Sequence, residues 1–185
     1  MNPPNTSREE IMRVSRKIVS EKGLPALNMR ALAKECGIAL GTLYNYYSDK
    51  DELVVAAIES VWQDILEKSA PDSGVRFSQY VMHIYARILS GLKDYPDFFA
   101  AHSISVAGSA KGKARGTMER CFGKIRGELH AALREDKNVD HSIFSETFRE
   151  EDLIGHILDT ITISIINGKP DCAALTEILD RLLYR

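Results

Sequence analysis

The residues best equipped to meet a partner lie within one short stretch, Leu40 to Lys50, which reads LGTLYNYYSDK. The hydroxyls of Thr42, Tyr44 and Tyr46 are donors of the kind that phosphate oxygens accept, and Asn45 carries the amide that can pair bidentately with an adenine edge. Gly41 lets a backbone approach closely. The tyrosines at 44, 46 and 47 fall within four positions. A 100° step per residue spreads them around a helix, so at least one phenol must face outward. Lys50 stands where a helix dipole disfavours a cation, and a phosphate ligand explains it better than a bystander on the surface does.

No comparable set of residues points to catalysis or to a metal. The histidines at 83, 102, 130, 141 and 156 show neither HExxH nor paired-carboxylate spacing. Gly108 to Lys113 is one residue short of a phosphate loop, has no Ser or Thr after the lysine, and follows no buried strand. The three cysteines, Cys36, Cys121 and Cys172, contain no CxxC pair and read as small buried apolar residues. Neither a metal nor a cofactor is expected, and no nucleophile, base and orienter can be named.

The elements that hold the stretch in place are helices. Residues 1–6 are polar, include Pro3 and Pro4, and read as a mobile arm. Either Thr6 with Glu9 or Ser7 with Glu10 has capping-box spacing for a first helix, whose apolar row is Ile11, Val14, Ile18 and Val19, with Ser15 among them. Gly23 ends it. Asn28 is the expected N-cap of a second helix carrying Leu32 and Ala33 inward, and Gly37 closes that helix by adopting the left-handed conformation. The next helix should run from Ala39 to Tyr47, too short to stand alone in water. Ile38, Leu43 and Tyr47 would hold it, leaving Leu40, Gly41, Thr42, Tyr44, Asn45 and Tyr46 on or near the other face. Asp49 and Glu52 then cap a long helix with Leu53, Ala57, Val61 and Ile65 in its apolar rows.

Net charge is −2 for the 185 residues, which by itself speaks against binding a polyanion. The distribution removes the objection: residues 1–50 hold eight Lys and Arg against five Asp and Glu, a net of +3, leaving −5 for the rest. One end is suited to meet a polyanion while the other does something else. The absence of an apolar run near the ~20 residues that span a bilayer, and of a leader pattern, points to the cytoplasm and away from membranes.

The segment LAKECGIALGTLYNYYSDKDEL resembles the signature of the TetR family of bacterial transcriptional regulators, at Leu32, Ala33, Gly37, Gly41, Thr42, Leu43, Tyr44, Lys50 and Leu53. It departs at Tyr46 and Tyr47, where histidine and phenylalanine are common, and at Ala39, where a serine usually caps the recognition helix. The resemblance covers roughly the first quarter of the chain. It implies phosphate contacts from Thr42, Tyr44, Tyr46 and Lys50, base edges facing Leu40, Gly41 and Asn45, and Asn28 with Arg30 touching the backbone at the other flank of the groove.

Beyond the head the pattern stays helical. Ser69 to Gly74 reads as a loop, Phe77 to Leu92 as one helix, and a further helix opens after a break at Asp94 to Pro96. The glycine-rich, basic run Ala107 to Gly116 reads as a loop or frayed start, followed by a helix from about Thr117 to Leu133. The last two helices, about Glu146 to Asn167 and one beginning after Asp171, carry apolar residues on more than one face, which suggests an isologous four-helix dimer interface. The TetR resemblance favours that reading over two plain core helices, with Ile154, Leu158, Ile161, Ile165, Leu175, Leu179 and Leu182 at the interface. Trp62, Tyr85, Phe99 and His102 are the candidate lining of a small-molecule pocket in the bundle, as the resemblance implies.

The expectation is therefore an all-α homodimer with a three-helix helix-turn-helix head at 1–50 and a bundle at 51–185 for ligand binding and dimerisation. It would bind palindromic operator DNA as a repressor released by a small-molecule effector. An all-α ligand-binding or enzymatic protein with a vestigial head is the alternative.

Overall fold

A computed structural model describes residues 6–67, 74–95, 98 and 111–184, with the backbone alone for 67 and 111–121. Among them the chain is all-helical, with eight α-helices, two short 3-10 turns and a single bridge between Ser145 and Phe148 in place of any strand. The arm expected at 1–6 and the loop at Ser69–Gly74 lie almost wholly outside the described residues. Close contacts divide the chain into two compact units, one of residues 1–65 and 91–121, the other of residues 66–90 and 122–185.

In the first unit, α1 (Arg8–Lys22) starts at Ser7, whose hydroxyl accepts the Glu10 N–H at 3.1 Å. The second of the two candidate caps is thus the one used, while the Glu10 carboxylate turns to Arg13 at 2.6 Å. Ile11, Val14, Ser15, Ile18 and Val19 are all buried. A buried serine is tolerated because its hydroxyl donates to the Ile11 carbonyl one turn back, at 2.9 Å. A 3-10 turn at Leu24–Ala26 leads to α2 (Met29–Glu35) and α3 (Leu40–Tyr44).

The long α4 (Lys50–Glu67) begins on Asp49, whose carboxylate accepts the Glu52 N–H at 2.7 Å. Glu52 reaches back one residue further than a capping box requires, accepting from the N–H and hydroxyl of Ser48 at 2.7 and 2.8 Å. Those bonds lower the Glu52 pKa, the Ser48 backbone bond most. Arg16 of α1 donates to Ser60 of α4 at 2.5 Å and lies 3.8 Å from Asp64, which accepts the Tyr95 hydroxyl at 2.8 Å. Ser20 of α1 donates to the Asp94 carbonyl at 2.6 Å. These two residues follow α5 (Phe77–Lys93), whose Gly91 packs so closely on α4 that a Cβ there would lie 2.7 Å from the Ile65 side chain. Trp62 meets Phe98 edge-on at 6.1 Å between ring centroids. So α1, α4 and the chain just after α5 are tied by both polar and apolar contacts.

In the second unit, Phe77, Val81, Ile84 and Ile88 of α5 are buried, as are Ile125, Leu129 and Leu133 of α6 (Lys111–Glu135). The remaining helices are α7 (Glu150–Ile166) and α8 (Ala173–Leu183). Asp136, just past α6, accepts four hydrogen bonds: from the Phe77 N–H at 2.9 Å, the Tyr184 hydroxyl at 2.6 Å, and the backbone and side-chain N–H of Asn138 at 3.0 and 3.2 Å. Ser78 joins α5 to α8 by donating to Asp180 at 2.6 Å.

Two boundaries differ from the sequence reading. Helix α6 starts at Lys111 rather than about Thr117, so the part of the run read as a loop or frayed helix start that is described is helical; Lys111, Lys113, Ala114 and Arg115 are strong helix formers that outweigh Gly112 and Gly116. Helix α7 starts at Glu150 rather than near Glu146. Residues 145–148 close a small turn, the Ser145 N–H donating to the Phe148 carbonyl at 2.8 Å, and the Asp152 carboxylate then accepts the Arg149 N–H at 2.9 Å to begin the helix.

Candidate nucleic-acid interface

Three local decisions of the sequence place α3. First, Asn28 caps α2, its side-chain oxygen accepting the Ala31 N–H at 2.9 Å while its amide nitrogen donates to the Ala26 carbonyl at 3.1 Å. Second, Gly37 takes φ +67° directly after α2. The Ile38 N–H then returns to the Ala33 carbonyl at 3.0 Å and the Gly37 N–H to the Lys34 carbonyl at 3.2 Å, the paired bonds of a Schellman turn. Third, Leu43 and Tyr47 are fully buried and Ile38 partly so, anchoring one side of α3. Ala39 begins that helix without a side-chain cap, leaving the Ala39 carbonyl to take the Thr42 and Leu43 N–H groups at 3.0 and 3.3 Å.

Helix α3 ends at Tyr44, three residues before the expected end, although the Tyr47 N–H still bonds the Leu43 carbonyl at 3.1 Å. What closes the stretch is a contact that no local pattern announces. The Tyr46 hydroxyl donates to the Thr6 carbonyl, while Arg8 donates to the Tyr46 carbonyl at 2.8 Å and lies over the Tyr47 ring at 5.1 Å. Tyr46 thereby commits its one donor proton to the start of α1 and has none left for a phosphate. Burial raises the Tyr47 phenol's pKa, more than the nearby Arg8 lowers it.

Most residues of the expected contact set lie on the side left open. Gly41 and Asn45 are exposed, Tyr44 is 49% exposed, and Leu40 and Thr42 are partly exposed. Arg30 and Lys34 on α2 and Lys50 at the start of α4 are exposed cations. Asn28 is exposed as well, with one amide hydrogen beyond those its cap uses. Lys17 instead pairs with Glu35 at 3.3 Å, joining α1 to α2.

The other candidate sites fall differently. Trp62 and Tyr85 are each 2% exposed, and the Tyr85 hydroxyl donates to the Lys169 carbonyl at 2.8 Å. Phe99 and His102 lie outside the described residues. A cleft of about 490 Å³ opens elsewhere, within the second unit, among Val75, Tyr80, Glu128, Ala131, Ala132, Glu135, Asp136 and Lys137. Neither Trp62 nor Tyr85 lines it. At the C-terminal helices, Ile154, Leu158, Ile161 and Leu179 are buried in the protomer's own core, whereas Ile165 and Leu175 are partly exposed. Large exposed apolar side chains are Ile163 at 58%, Ile166 at 61%, Ile178 at 61% and Leu182 at 39%. Among the described residues no cluster of His, Cys, Asp or Glu is arranged to hold a metal, and no helix is long and apolar enough to cross a membrane.

A short helix presented by a glycine turn on a buried partner helix, with hydroxyl, amide and glycine outward, is helix-turn-helix architecture. Residues 11–57 match the model of the bacterial regulatory proteins of the tetR family. Over this N-terminal region the chain is similar to the TetR family. An uncharacterized HTH-type transcriptional regulator of Haemophilus influenzae is 32% identical over 99 residues, 47% of this chain and 53% of that protein. The HTH-type transcriptional regulator UidR of Escherichia coli is 32% identical over 77 residues, 41% of this chain and 39% of that one. The chain thus spans about half or less of these relatives' length. Among solved structures, the multidrug binding protein EbrR in complex with proflavin superposes with a TM-score of 0.64 at 16% identity, over 95% of this chain and 98% of its own. A transcriptional regulator from Rhodococcus sp. Rha1 gives 0.62 at 20% identity, over 89% and 86%. At such identities the likeness is one of fold.

Proposed function

We propose that the protein is a cytoplasmic, dimeric transcriptional repressor that binds palindromic operator DNA and is released by a small molecule. The observation that carries this reading is the outward side of α3, where Gly41, Tyr44 and Asn45 are exposed while Leu43 and Tyr47 lock the opposite side. Tyr44 and Thr42 would donate to phosphates, Gly41 and Asn45 would face base edges, and Arg30 and Lys50 would neutralise phosphates at the flanks. Residues 1–50 would be the reading head and 51–185 the sensing and dimerising body.

One recognition helix reads only a few base pairs, and a two-fold dimer doubles that set on a palindrome. The exposed Ile163, Ile166, Ile178 and Leu182, with Ile165 and Leu175 beside them, are the surface on which α7 and α8 would pair with a second copy. A ligand that binds better to a body holding the heads at the wrong spacing lowers operator affinity by that difference, typically about 1 to 3 kcal/mol. EbrR, a multidrug binding protein of the same fold, supports a small-molecule effector.

Tyr44→Ala and Lys50→Ala test the reading. Each should weaken binding to the DNA flanking the protein's own gene about ten-fold or more, leave the oligomer and helix content intact, and, for Lys50, reduce the salt slope by about one. Unchanged DNA binding in both variants would transfer the function to the body.

A further inference from the structure

The cleft within the second unit, about 490 Å³, is of the size that buries much of a drug-sized ligand. Its walls set the Tyr80 ring and the apolar surfaces of Val75, Ala131 and Ala132 against three carboxylates, Glu128, Glu135 and Asp136. Arg87 answers the first of these at 2.7 Å and fixes it in place. The other two have no ion-pair partner among the described residues, and Lys137 at the cleft pairs with neither.

Asp136 carries most of the argument. It is only 7% exposed, yet each of its four hydrogen-bond donors, from Phe77, Asn138 and Tyr184, is neutral. Burial would raise its pKa. The bonds from Tyr184, Phe77 and Asn138 more than offset that and hold the carboxyl below its usual value. The result is a buried anion, ionised at neutral pH, in the wall of an open cleft. Those hydrogen bonds hold the charge in place without cancelling it, and a fixed charge in a cleft wall draws ions of opposite sign. Glu135 adds a second negative charge beside an aromatic ring whose face also attracts cations.

We infer that this cleft binds an organic cation with a flat apolar portion, the charge meeting Asp136 and Glu135 and the ring lying against Tyr80 and the two alanines. An anion would be repelled there, and a neutral ligand would gain nothing from the charges of Asp136 and Glu135. The assignment deepens the effector reading above and rests on it only for the consequence at DNA.

Calorimetry on the full chain with N-methylquinolinium, beside neutral quinoline of the same shape, tests it. The expected result is saturable, one-to-one binding of the cation, at least five-fold weaker for quinoline. Glu135→Gln and Tyr80→Leu should each weaken the cation about five-fold, in variants whose helical circular dichroism matches the parent. Either variant suffices should the other fail to fold. No saturable binding, equal binding of quinoline, or unchanged affinity in the folded variants overturns the assignment. A second arm measures DNA affinity with the cation present: binding that leaves DNA affinity unchanged preserves the cleft as a cation site and removes its role as the effector site.

Discussion

Replacing Ile178 with glutamate is expected to separate the proposed dimer while leaving each protomer folded. Ile178 and Leu182 are four residues apart on α8 and Ile163 and Ile166 three apart on α7, so each pair shares one side of its helix. Fully burying such a side chain is worth about 1.5 to 3 kcal/mol relative to leaving it exposed. Ile178 is 61% exposed in the protomer, so covering the rest contributes about 1 to 2 kcal/mol. A two-fold axis presents the residue twice, which makes the loss about 2 to 4 kcal/mol per dimer, before the added cost of a carboxylate in an apolar contact. That corresponds to a dimer dissociation constant raised roughly 30-fold to nearly a thousand-fold. Sedimentation equilibrium across a concentration series reads the change, with circular dichroism confirming that the helices persist. A wild-type chain that stays monomeric at all concentrations, or a glutamate variant that dimerises as tightly as the parent, refutes the reasoning.

Three further outcomes follow from the packing. Gly37→Ala should cost about 1 kcal/mol in urea unfolding, because φ +67° strains any residue with a Cβ even though nothing crowds the position. Gly91→Ala should cost about 1 to 3 kcal/mol by driving its methyl into Ile65, and Ile65→Ala should cost less in that background than alone, a coupling a double-mutant cycle measures. Asp136 has a folded pKa below its unfolded value of about 3.9, so the stability it contributes is fully present above that pH and is lost as the pH falls through the folded value. Unfolding free energies measured from pH 6 to pH 2 should therefore fall on the acid side, and the Asp136→Asn variant should show a shallower fall.

What the sequence made legible was mostly local. The apolar row of α1, the Asn28 cap and the Gly37 turn each depend on residues within a few positions of one another, and the structure has all three. The outward side of α3 was readable for the same reason. What escaped the sequence depends on distant partners. Tyr46 looked like a phosphate donor until its hydroxyl met the Thr6 carbonyl, forty positions away, and Arg8 gave no signal that it would brace the same stretch. Periodicity identified α7 and α8 as apolar on more than one side. It did not say which side the protomer's own core would take, so Ile154, Leu158, Ile161 and Leu179 are inward while Ile163, Ile166 and Ile178 are outward. The cleft joins Tyr80 to residues about fifty positions on, and no motif links them.

The most direct measurement is fluorescence anisotropy of the purified protein against the DNA flanking its own gene, beside a scrambled duplex of equal length, at two salt concentrations. Tight binding to one fragment over the scrambled duplex is expected, weakening steeply with salt as condensed counterions are released. Equal and weak binding to both duplexes, at this and other genomic sites, would contradict the claim that α3 reads sequence.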